Sequence, residues 1–276
     1  MIRVAEGVYV ETRFKGGNVG LIDTEEGLLL VDIPPNPADV KLWQHQVMEV
    51  GNKPILYAIN TDDHPLRVMS NNLLKVPKIA HQAVWEDLAT PKAPYRQIFR
   101  EFYKAYRDQE PPDNFGDLMP AMAFSRRMSL YKGGRLIRLI ALGGTTPASI
   151  VVHIPGEKLL FTGALVVTNT HPDLCMADSA QWLEALAYIK KLSVKLIIPG
   201  SGNPCGKEAV DKVAEYIRKA RAAVKDIYKA GKSRSEVAKL VNDFLPLFPV
   251  SPQSENEIKA LIKAGLSHIY DEFKAG

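Results

Sequence analysis

Cysteine is nearly absent: Cys175 and Cys205 are the only two in 276 residues. At most one disulfide can form, and no cysteine spacing suits a metal site. Two free thiols in a reducing cytoplasm are expected. Long apolar runs are missing too. Nothing approaches the ~20 residues a membrane helix needs, and Met1-Ile2-Arg3-Val4-Ala5-Glu6-Gly7 lacks the apolar centre of a signal peptide. A soluble, cytoplasmic protein is therefore expected. Nor does one sign of charge dominate, with 35 Lys and Arg against 31 Asp and Glu for a net +4. So weak a bias implies neither a nucleic-acid nor a membrane partner.

What is present is a hydrophobic content of 46%, enough for a sizeable core in one layered α/β unit with an appended helical piece. Strand-like runs open the chain: Val8-Tyr9-Val10-Glu11-Thr12-Arg13-Phe14, then Val19 to Ile22, then Gly27-Leu28-Leu29-Leu30-Val31-Asp32, each separated by turn residues. Asn36-Pro37 reads as a helix start, with Val40, Trp43 and Val47 on its core face and His45 solvated. Four further strands are read at 126–131, 136–141, 149–154 and 158–162. Asp178 starts a helix with Trp182, Leu186 and Ile189 inward, and 195–198 closes the series as a short strand.

Residues 85–128 carry an aromatic stripe, Tyr95, Ile98, Phe99, Phe102, Tyr103 and Tyr106, ended by Asp108-Gln109-Glu110-Pro111-Pro112; Met119-Pro120-Ala121-Met122-Ala123-Phe124 reads as an adaptable apolar segment. From Lys207 the pattern is helical. Val210, Val213, Ile217, Ala220 and Val224 step by three and four, Ser233-Arg234-Ser235-Glu236 reads as a capping box, and Ser254-Glu255-Asn256-Glu257 opens a last helix.

The chain is organised around the loop Ile59-Asn60-Thr61-Asp62-Asp63-His64-Pro65-Leu66-Arg67, which follows the apolar run Ile55-Leu56-Tyr57-Ala58-Ile59. It resembles the Asn-Thr-His-x-His-x-Asp-His motif of the metallo-β-lactamase superfamily, with Asp62 at the first ligand His, His64 retained, Leu66 at the ligand Asp and Arg67 at the last His. Three more frames resemble that family in the right order. Gly144-Thr145-Thr146-Pro147-Ala148-Ser149 is similar to Gly-His-Thr-Pro-Gly-Ser, Phe161-Thr162-Gly163-Ala164 to Phe-Thr-Gly-Asp, and Pro199-Gly200-Ser201-Gly202 to Pro-Gly-His-Gly. Thr145, Ala164 and Ser201 thus stand at ligand positions, and the first strands, with Asp32 supporting the metal loop, are also similar to the family's opening.

The resemblance implies an α/β (α+β) fold, a four-layer αββα metallo-β-lactamase-like sandwich over residues 1–206, with 85–128 as an insertion that roofs the cleft and 207–276 as a helical C-terminal extension. It does not carry the family's reaction. A hydrolytic zinc site needs at least three His, Asp, Glu or Cys ligands, and of these positions only Asp62 and His64 qualify. Arg67 puts a fixed positive charge where a second metal would sit. The expected arrangement is an ion pair between Asp62 and Arg67 as an internal substitute for metal.

The function expected is a non-catalytic pseudo-hydrolase, a pseudoenzyme that binds a ligand or partner in a metal-free cleft. Candidate cleft residues are His64, Asp62, Asp63, Arg67, Thr145 and Ser201, and a small anion is the candidate ligand because Arg67, His64, Thr145 and Ser201 would converge with loop amides. No cofactor is expected. The alternatives are a weak mononuclear hydrolase, with zinc or another divalent metal on Asp62 and His64, and a structural oligomeric subunit. His171 is not recruited, and neither cysteine has an activating His beside it in sequence. Core packing is the first expectation for the C-terminal helices and a homodimer through them the second.

Overall fold

β1 (Ile2–Ala5), β2 (Val8–Glu11), β3 (Val19–Thr24) and β4 (Gly27–Val31) form an antiparallel meander. The coordinates are a computed structural model that describes residues 1–90, 96, 97, 99–101, 103, 104 and 115–275. β2 is shorter than its apolar pattern predicts. The buried Glu11 carboxylate accepts the N–H groups of Thr12 and Arg13, the Arg13 guanidinium and the terminal ammonium, which turns the backbone out of the ladder. Asn36 caps α1 (Pro37–Val50) by accepting from the Ala38 N–H, and Val40, Trp43 and Val47 are buried as the spacing predicts. His45 is exposed beside Glu49.

Three parallel strands complete the first sheet: β5 (Ile55–Ile59), β6 (Lys78–His81) and β7 (Met122–Phe124). Between them lie α2 (Pro65–Val68), a 3-10 turn over Met69–Leu73 and α3 (Gln82–Ala89). The seven strands run in sequence order. β6 and β7 escape the sequence reading because three or four residues show no period; Met122–Phe124, the end of the adaptable apolar segment, is the sheet's edge strand.

The second sheet, ordered β12-β11-β10-β9-β8, contains β8 (Arg127–Lys132), β9 (Arg135–Ala141), β10 (Ile150–Ile154), β11 (Leu159–Phe161) and β12 (Leu196–Ile198). Between β11 and β12 runs α4 (Ser179–Lys191), capped by Asp178, which accepts from the Ala180 and Gln181 N–H groups. After β12 come α5 (Lys207–Lys229), α6 (Val241–Phe244) and α7 (Glu255–Ala275). Ser233 caps nothing with its side chain and 3-10 turns follow over Arg234–Leu240, so the predicted capping box does not form; its hydroxyl pairs with that of Ser235 instead.

The inner faces of the sheets enclose one core, including Ile22, Val31, Leu139, Val152 and Phe161. α1 covers the outside of the first sheet through Trp43. On the outside of the second sheet, Val151, Leu160 and Ile197 share a core with Trp182 of α4, Ile217 of α5 and Leu266 of α7. These are the four layers of an αββα sandwich, and the C-terminal helices supply part of one of them.

A fourth cluster joins Phe99, Tyr103 and Phe115 to Val68, Met69 and Ala148. Two members of the aromatic stripe thus pack over the segment that follows the central loop. Tyr95, Ile98, Phe102, Tyr106 and residues 108–112 lie outside the described residues. Among the described residues no helix is long and apolar enough to cross a membrane.

Candidate functional site

The four sequence frames meet at one end of the sandwich. Thr61, just past β5, donates its N–H and hydroxyl to Asp32, just past β4, at 2.9 and 2.7 Å. Its carbonyl accepts the N–H of Ile150 at 2.8 Å, which draws in the 143–149 turn. The Gly200 N–H donates to the Val166 carbonyl at 2.9 Å, and the Gly200 carbonyl accepts from the Asn18 N–H at 2.8 Å. Glycine is required where these loops touch. A Cβ on Gly200 would lie 2.5 Å from the Gly163 carbonyl, and one on Gly163, at φ +52°, 2.7 Å from the Thr61 hydroxyl.

Arg67 fills the centre of this assembly. Its side chain passes Gly17, where a Cβ would come within 3.2 Å of Nη2. Nη1 donates to Asp32 Oδ2 at 2.5 Å and Nε pairs with Asp62 Oδ2 at 3.1 Å. All three residues are buried, with Arg67 8% and both aspartates 2% exposed. The expected Asp62–Arg67 pair is present, and Asp32 joins it as a second carboxylate. Burial pushes the Asp32 carboxyl upward and the nearby Asp62 charge acts in the same sense, while Arg67 and the Thr61 hydrogen bonds pull against both. Arg67 is held charged; burial opposes this, but the two carboxylates prevail. The free oxygen of Asp62 accepts the His64 N–H at 3.0 Å, fixing the turn into α2.

At the rim, burial raises the Asp63 carboxyl to about 6 despite a hydrogen bond from Thr146. His64 is exposed; desolvation by its surroundings lowers its basicity, with Asp62 opposing. Thr145 is buried with its hydroxyl 2.6 Å from that of Ser149, and so serves the turn rather than Arg67. Ser201 is half-buried, its carbonyl accepting from the Thr168 N–H. Ala164 lies in a 3-10 turn, and Leu66 lies on α2. The frames are therefore brought together, but the candidate residues divide into a central network of Asp32, Asp62 and Arg67 and a rim of Asp63, His64 and Thr146.

The other nucleophile candidates are set apart. Cys175 and Cys205 are free thiols pushed up to about 12 by burial, so neither is a thiolate at neutral pH. His171 is buried against Tyr216 and Phe248. Reading the sequence residue by residue misses the partnership of Asp32 with Arg67 and the reciprocal amide bonds of Asn60 and Asn71, at 2.9 and 3.0 Å, that brace the loop. The signal for Asp32 lay in the resemblance of the opening strands; for the amide pair it lay only in the Asn at each end of the loop.

A resident metal does not fit these donors. Among the described residues no three His, Cys, Asp or Glu side chains are gathered closely enough to hold an ion. Asp62, one of the two surviving ligand types, already accepts from Arg67 and the His64 N–H.

The family model of the metallo-beta-lactamase superfamily matches residues 12–201. No curated protein matches the chain. Among solved structures, the fold is similar to a metallo-beta-lactamase from Pontibacter korlensis, with TM-score 0.62, 16% identity and coverage of 79% of this chain and 97% of that one. A metallo-beta-lactamase family protein from Thermus thermophilus gives TM-score 0.70 and 15% identity over 98% of this chain and 95% of the other. The stereoselective inverting sec-alkylsulfatase Pisa1 from Pseudomonas sp. gives TM-score 0.70 and 12% identity over 99% of this chain and 50% of that one. At these identities the likeness speaks for the fold alone.

Proposed function

The chain belongs to the metallo-beta-lactamase superfamily, and we propose that it is a binding member, not a hydrolase, whose metal site has been replaced by an ion-pair network. One observation carries this reading: the Arg67 guanidinium lies between Asp32 and Asp62, at 2.5 and 3.1 Å. A cation fixed to the chain neutralises carboxylates that a bare cleft would leave buried and uncompensated, at a cost of several kcal/mol. Such a site has no open coordination position from which a metal could lower the pKa of water.

The ligand surface of this reading is the rim of Asp63, His64 and Thr146. Two carboxylates already match Arg67, so the charge balance favours a neutral or cationic group over the small anion expected from the sequence. The test is elemental mass spectrometry on untagged protein purified without chelator, beside the double variant Asp62→Ala, His64→Ala. We expect no zinc, manganese or iron above the level in the variant. Near-stoichiometric metal that disappears in the variant would overturn the reading and reinstate a metal-dependent hydrolase.

A second reading rests on the Asp63 carboxyl at about 6, close to the pH at which a general acid or base is most effective. It supports metal-free proton transfer at the rim, with His64 as the adjacent titratable group.

A further inference from the structure

The outer face of the second sheet carries a separate cavity with polar and apolar walls. On β8, β9 and β10 the residues Met128, Leu139 and Val152 face the inter-sheet core, so their neighbours Arg127 and Ser129, Arg138 and His153 face outward. Register sets Ser129 opposite Arg138 and Arg138 opposite His153. A hydroxyl, a guanidinium and an imidazole therefore form one row across three strands, with Arg127 on the same face in the next row. Tyr188 of α4 and Leu192, just past its end, close one side, leaving a cavity of about 390 Å³.

Two features of this cavity lack an internal explanation. Arg13, Arg67, Arg135, Arg221 and Arg234 are each ion-paired; among the described residues Arg127 and Arg138 have no carboxylate, and Arg127 reaches the Tyr188 hydroxyl at 3.5 Å. His153 is 5% exposed, yet neither ring nitrogen has a hydrogen-bond partner. An unmet buried donor or acceptor costs roughly 1–3 kcal/mol, so such a ring calls for a partner from outside the chain. Burial and the Arg138 charge lower its basicity and favour the neutral ring, which has one N–H to donate.

We propose that this cavity binds the phosphate or sulfate group of a small organic molecule, with Arg127 and Arg138 supplying charge and His153 and Tyr188 supplying hydrogen bonds. A carboxylate is satisfied in one plane by a single guanidinium fork. Here the donors come from three strands and a helix, an arrangement suited to a tetrahedral oxyanion. The Leu192 and Ile140 side chains give the organic part an apolar wall, and the volume lies within the range of small-ligand sites.

The experiment is calorimetric titration of the full chain at physiological salt with inorganic phosphate, sodium sulfate and phenyl phosphate. Histidine ring resonances are followed in parallel by NMR. Saturable binding is expected, tightest for phenyl phosphate, with the His153 resonance shifting and that of His64 unmoved. Arg138→Gln, at an exposed position, should leave the melting temperature unchanged and weaken binding about tenfold or more. Arg127→Gln should weaken it less, and loss of the His153 resonance in His153→Gln assigns the signal. Tighter binding of inorganic phosphate than of the aryl ester would identify the free ion as the ligand and remove the organic part of the proposal. No saturable binding, equal affinity in Arg138→Gln, or a shift at His64 in place of His153 would overturn it.

Discussion

At the scale of single residues, Arg67 decides the character of the cleft. Replacing it with Met removes the cation from between two carboxylates that are each 2% exposed. Breaking a buried pair in this way costs about 3–5 kcal/mol. Urea denaturation at neutral pH should show a loss of that size, shrinking as the pH falls and Asp32, whose carboxyl burial pushes upward, takes up its proton. A loss below about 1 kcal/mol would mean that water already screens the network. Asp63 has the opposite sign of pH dependence to an ordinary paired carboxylate. Its folded pKa, about 6, lies above the ordinary value of 3.8, so folding favours the protonated form. The stabilisation is fully present below pH ~4 and is lost as the pH rises through ~6. Asp63→Asn should therefore melt higher than the parent at pH 8, with the gap closing toward pH 4 in a series of thermal melts. A gap that does not change with pH would show that the carboxyl titrates normally.

At the scale of elements, the site depends on loops pressed together without side chains between them. Gly200 has Gly163 and Ala164 backbone atoms within 2.8 Å of where its Cβ would be. Rigid backbone on both sides cannot give way, so Gly200→Ala should cost a few kcal/mol and loosen the Asn18 contacts on Pro199 and Gly202. Amide exchange at Asn18 and Gly200 reads this directly; unchanged protection would contradict the packing. Gly51, which has nothing within 4 Å of its Cβ position, is the matched control.

For the whole molecule, the helices beyond residue 206 are structural members of the second layer. Val213, Ile217 and Val224 of α5 are fully buried against the same core as Val151 of the sheet. Their apolar stripe is buried inside the chain, while Tyr228 and Leu247 of this region are exposed at 38% and 41%. Sedimentation equilibrium should give a monomer near 30.6 kDa. A species of twice that mass would return the C-terminal helices to the interface role considered from the sequence.

Much of this fold is legible in the chain because its signals are local. Asn36-Pro37 and Asp178 start helices through their own capping atoms, and β4 is buried at all five positions, as an unbroken apolar run implies. The four loop frames and the ligand types missing from them are equally local, and so was the pairing of Asp62 with Arg67, five residues apart. Strands of three or four residues, such as β6 and β7, could not be read, because a period needs more length than they have. Three things depended on residues far apart in the chain and only the tertiary structure decided them. Asp32 meets Arg67 across 35 positions. Burial raises Asp63 and leaves His64 exposed in the next residue. Strand register lines up Ser129, Arg138 and His153. Sequence fixes which groups are present and what each segment does alone; desolvation, charge pairing and register arise only when separate segments are packed against each other.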